Sequence, residues 1–152
     1  MLHTILIALH AATGTIALVT GLFALLREGR LFGTYLTSLA ATTAFLAAAV
    51  VAEWTALGAG ARALFTAFVL LAMVMVARAV LARRMLPVGE QPPPAYVEHV
   101  GFTLVALFDA FAVITVLNAG APIWLVVASG VLIAGAGHVV LRRAKTSVPA
   151  TA

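Results

Sequence analysis

Long apolar stretches alternate along this chain with short clusters of charged, glycine or proline residues. Uninterrupted apolar length predicts helices over about 3–26, 35–57, 63–82, 95–117 and 121–141. Each run is close to the roughly 20 residues that cross a bilayer core of about 30 Å at 1.5 Å per residue. The interruptions carry helix-stop chemistry: REGRLFGT, LGAGAR, RRMLPVGEQPPP and NAGAP follow the first four runs in turn. Asn118 to Pro122 must therefore turn a tight hairpin. The prolines at 92–94 predict a stiff extended lead into the fourth helix, because proline fixes its own φ and disfavours helix in the residue before it. The expected fold is all-α, a polytopic membrane helix bundle of five transmembrane helices in a single transmembrane domain over residues 1–152.

Composition agrees with the pattern. Apolar residues make up 64% of the chain, charged residues only 9%, and the mean hydropathy of +1.15 lies outside the range of soluble domains. Five spans occupy most of the 152 residues, so any chemistry is expected inside or at the edge of the bilayer. With no cysteine, disulfides, thiolate metal sites and iron–sulfur clusters are excluded. The first run has no positive segment before it and basic residues after it, so it is read as a retained helix and not as a signal peptide.

Charge then orients the bundle. Arg27, Arg30, Arg78, Arg83, Arg84, Arg142, Arg143 and Lys145 fall on one side of a five-span arrangement and Arg62 alone on the other. Because cytoplasmic loops collect Lys and Arg, the expected orientation has the N-terminus outside and the C-terminus inside. The basic balance is thereby explained by topology and by attraction to anionic lipids, with no nucleic acid required.

The few polar groups inside the spans are the candidate chemistry. Glu98 and Asp109 stand 11 residues apart on the fourth helix, which returns them to within about 20° of one face. A lipid-facing carboxylate at depth is unfavourable by about 2.5 to 3.5 kcal/mol, so that face is expected to look into the protein or towards a partner. Arg78 lies at the right depth to pair with Glu98. His10 lies at a level similar to that of Asp109, and the two are a candidate titrating pair for transport. His99 and His138 each follow a small residue by one turn, Ala95 and Ala134, leaving room for a flat macrocycle. His99, His138 and His10 are thus candidate axial ligands of a haem b or a chlorophyll-type pigment, with interhelical hydrogen bonding as the simpler reading. Small residues align with the histidines on the first helix, at His3, His10, Gly14 and Gly21, and on the last, at Gly130, Ala134 and His138. Such stripes let another helix approach closely. Tyr35, Trp54, Tyr96 and Trp124 are expected to anchor span ends at the interface, and the methionines of AMVMVAR to pack. No metal-ligand spacing, phosphate loop or nucleophile with a nearby base supports catalysis.

The first helix, His10-x3-Gly14-x2-Ala17-Leu18-x2-Gly21 followed by ALLREGR, resembles the opening of an uncharacterised family of small bacterial multi-pass membrane proteins. The resemblance covers about 25 residues and implies a bacterial inner-membrane protein. Where that family would carry a second histidine, just after the glycine and basic residues, this chain has Leu31 and Phe32. These features together lead to the expectation of a non-catalytic integral subunit, accessory or assembling, packed among other integral membrane subunits and lipids. A tetrapyrrole-binding protein and a small transporter or proton channel are the alternatives.

Overall fold

A computed structural model describes residues 1–27, 29–86 and 92–146, with side chains described through Arg143 except at Ile123. Five helices follow one another: α1 (Leu2–Leu26), α2 (Phe32–Ala52), α3 (Ala59–Arg83), α4 (Pro94–Asn118) and α5 (Ile123–Thr146). All five are long and apolar enough to cross a membrane, and no strand occurs among the described residues. Residues 87–91, between the third and fourth expected helices, and the tail from Ser147 lie outside the described residues.

The helix ends differ from the sequence expectation for local reasons. α2 begins three residues early because Phe32 folds into the core, its ring 5.4 Å from Tyr35 and 6.0 Å from Tyr96. It also stops at Ala52 instead of near 57, and the chain turns through Glu53 to Leu57. There Arg62 Nε donates to the Trp54 carbonyl at 2.9 Å, with its guanidinium 5.5 Å from the indole centre. A carbonyl freed at the helix end thus gains a charged donor. Pro94, expected in the extended lead, is the first helical residue of α4, where a missing N–H loses nothing. α5 starts after Pro122 and runs on through Arg142 and Arg143, whose charges suit a helix C-terminus. Two glycines make the tight turns: Gly29 and Gly120 both have φ of 78°, a left-handed conformation that a side chain disfavours. Leu31 adopts the same region at φ 61°.

α1, α2, α3 and α4 form a closed ring in which each helix touches the next and α4 returns to α1. α5 stands outside this ring and packs on α4 alone. Small residues set the closeness. Ala17, Ala24, Ala79 and Ala82 are fully buried at the ring's centre with Tyr35, Tyr96, Leu39 and Val100. A Cβ on Gly21 would lie 2.8 Å from Tyr35 Cδ2 and 2.9 Å from Leu104 Cδ2, and one on Gly14 would lie 3.4 Å from the Phe111 ring. The glycine stripe of α1 is therefore consumed within the chain by α2 and α4. It is not a surface left for a neighbour, as the sequence had suggested.

The ring also relocates two of the four expected anchors. Trp54 and Trp124 are exposed, but Tyr35 and Tyr96 are fully buried. Each hydroxyl has a partner, which makes burial tolerable. Tyr35 is hydrogen-bonded to the Thr103 hydroxyl, and Tyr96 donates to the Ala24 carbonyl at 3.0 Å. The second bond ties the start of α4 to the end of α1, so the basic residues after α1 and α3 lie at the same end of the bundle. Met75 is buried, as packing requires, while Met73 is exposed.

Candidate functional site

Polar groups meet between the helices at four places. At the basic end, Arg78 sits five residues before the last residue of α3, about 8 Å inside it. Its Nη2 donates to Glu98 Oε1 at 3.3 Å and its Nε to His99 Nδ1 at 3.2 Å, while the guanidinium lies 4.4 Å from the Phe102 ring centre. One planar cation thus gathers a carboxylate, an imidazole and an aromatic face from a single turn of α4. The arrangement bears on haem or pigment ligation. A neutral imidazole that accepts at Nδ1 carries its proton on Nε2, leaving that nitrogen no lone pair for an axial bond. Nor do His99 and His138 face one another. His99 lies two residues, about 200° of helix, from Gly101, against which Leu141 of α5 packs, and His138 is exposed.

Between α1 and α2, His10 Nδ1 donates to the Thr42 carbonyl at 3.0 Å. The Thr42 hydroxyl donates to Thr13 Oγ1 at 2.8 Å, and Thr13 donates to the Leu9 carbonyl at 2.7 Å. His10 is thereby directed to α2. The structure does not bring it to Asp109, so the dyad inferred from depth alone is not formed: a carbonyl on the adjacent helix satisfies the imidazole first.

Asp109 occupies the seam between α4 and α5. The seam is a ladder of large residues set against glycines. Val105 packs against Gly137, Gly101 receives Leu141, and Val113 and Asp109 lie over Gly130. A Cβ on Gly130 would be 3.2 Å from Val113 Cγ2, 3.6 Å from Asp109 Oδ1 and 3.9 Å from Oδ2. Ala134 and His138, expected to share a close-packed face with Gly130, are exposed, because α5 turns Val126, Gly130, Gly137 and Leu141 towards α4 instead. Asp109 is half-buried, and its Oδ1 is enclosed with no hydrogen-bond partner among the described residues. The carboxylate face shared with Glu98 does point inward, but it meets α3 at the basic end and α5 further along.

At the opposite end, His3 Nδ1 lies 3.9 Å from Glu53 Oε1, beside a cavity of about 110 Å³ bounded by Ile7, Leu57 and Phe65. Both side chains are more than one-third exposed, so this contact contributes little to stability. Among the described residues no three His, Cys, Asp or Glu side chains converge as metal ligands.

Sequence reasoning singled out Arg78, Glu98, His99 and Asp109 but missed the buried tyrosines. Their signal was present: Tyr96 and Thr103 are seven residues apart and so share a helical face, which offers a hydroxyl partner to an aromatic from another helix. Compared with known proteins, the chain matches no family model, no curated protein and no solved structure.

Proposed function

We propose that this chain is a non-catalytic integral membrane subunit, with an accessory or assembly role in a larger complex of the bacterial inner membrane. Its N-terminus is outside and its C-terminus inside, following the basic residues. The observation that carries this reading is α5. Four helices close on one another, whereas α5 is held along one side by α4 alone. Ala134, Gly135 and His138 lie on its exposed surface, and nothing approaches Gly135 within 4 Å. A small, uncovered surface on the outermost helix suits close approach by another transmembrane helix. Affinity purification from native membranes in a mild detergent tests this: the protein is expected in a defined complex of higher mass, and isolation as a stable, fully active monomer would defeat the reading.

A second reading, a small transporter or proton channel, draws on Asp109, an intramembrane carboxylate without a hydrogen-bond donor at Oδ1. It requires ion or proton flux in proteoliposomes that is lost in Asp109→Asn. Flux that is unchanged in the variant removes it.

A further inference from the structure

We infer that the edge of the α4–α5 seam at Asp109 receives a transmembrane helix of a partner protein carrying an arginine or lysine at matching depth. The inference rests on the subunit reading above and adds the chemistry of the contact. By helical rise Asp109 lies about 22 Å from the start of α4 and about 14 Å from its end, well within the hydrocarbon. A carboxylate there is unfavourable without a donor, and hydrocarbon supplies none.

No cation among the described residues pairs with Asp109, although His10 lies at a similar level. Among the described residues, Arg27, Arg30, Arg83, Arg84, Arg142 and Arg143 lie at the basic end. Arg78 is occupied by Glu98, His99 and Phe102, Arg62 by Trp54, and His10 by Thr42. His138 is eight residues, about 12 Å, further towards the basic end than Gly130. A second copy of this chain would bring the same set, so charge complementarity points to a different protein. Access is present on the surface: Asp109 is only half-buried, and its neighbours Phe108 and Ala110 are exposed. An arriving cation meets the carboxylate where α5 leaves it uncovered, and the ion pair holds the partner to both helices of the seam.

A photo-crosslinking amino acid at Phe108, with a second at Leu70 on α3 as control, tests the contact in native membranes. Cross-linked peptides are mapped by mass spectrometry in the otherwise wild-type chain and in Asp109→Asn and Asp109→Leu. The expected result is a Phe108 adduct on a partner span that contains Arg or Lys. Its yield should fall roughly tenfold or more in both variants, since truncating one member of a buried charge pair is strongly unfavourable. Asp109→Lys combined with Asp or Glu at the partner's basic position should restore it. A Phe108 adduct on a second copy, on lipid only, or on a span without a basic residue overturns the inference, as does an adduct that persists in both variants. If the complex is present but indifferent to Asp109, the inference alone fails. If the wild-type protein cross-links to no protein and migrates alone, the subunit reading fails with it.

Discussion

At the scale of the residue, few ionisable side chains enter the spans, and Arg78, Glu98, His99 and His10 each meet a specific neighbour on another helix. Arg78 is the most connected, and its partners define its worth. Arg78→Ala removes two hydrogen bonds and a cation–π contact together, and is expected to lower stability by about 1–2 kcal/mol in a denaturation assay in detergent. Arg78→Lys should fall between the two, because an ammonium cannot reproduce the planar fork. The same contact bears on His99. While its Nδ1 accepts from Arg78, any Soret band of the purified protein is expected to be unchanged in His99→Ala, and a band that vanishes in that variant would show that the ring takes the other tautomer. Tyr96→Phe should lose about 1 kcal/mol by the same denaturation assay, since it removes only the bond to the Ala24 carbonyl.

At the scale of the element, glycine decides which helices meet. Gly21→Ala places a methyl within 3 Å of both Tyr35 and Leu104, and overpacking of that kind is unfavourable by about 1–3 kcal/mol. Gly135→Ala meets nothing, so in the isolated protein it should be neutral or stabilising by up to about 1 kcal/mol through helix propensity. The contrast separates internal from external use of a small residue. Gly135→Leu is expected to leave the monomer's melting midpoint unchanged or raised, for the same reason, while weakening the native complex, as read by blue-native migration. An unchanged complex would show that this side of α5 faces lipid. Element boundaries were only partly legible in the sequence. Apolar length found all five helices, but the early end of α2 depends on Arg62 reaching back to Trp54, and its early start depends on Phe32 meeting Tyr96 from another helix. Neither follows from local composition.

At the scale of the whole molecule, a ring of four helices with a fifth attached to one side gives the bundle a closed part and an appended part. The appended part carries the exposed Trp124, Val131 and Leu132 and covers one side of Asp109. The basic end and its opposite predict an orientation that is directly measurable, because the chain has no native cysteine. In intact cells an impermeant maleimide is expected to label Gly58→Cys, in the turn between α2 and α3, and to leave Leu31→Cys unlabelled. The reverse pattern would invert the topology.

The amino-acid sequence by itself determined the number of helices long and apolar enough to cross a membrane and the position of each polar residue along them, because hydrophobic length and helical rise are local properties that need no knowledge of neighbours. It also marked Glu98 and Asp109 as sharing one face, which is a matter of 100° per residue. Only the tertiary structure decided what that face meets, because adjacency among five similar apolar helices depends on where small residues permit close approach. It paired Arg78 with Glu98 and His99 and turned His10 away to α2. It drew Tyr35 and Tyr96 from the interface into the core by giving each hydroxyl a partner, and it left Asp109 over Gly130 with Oδ1 unpartnered.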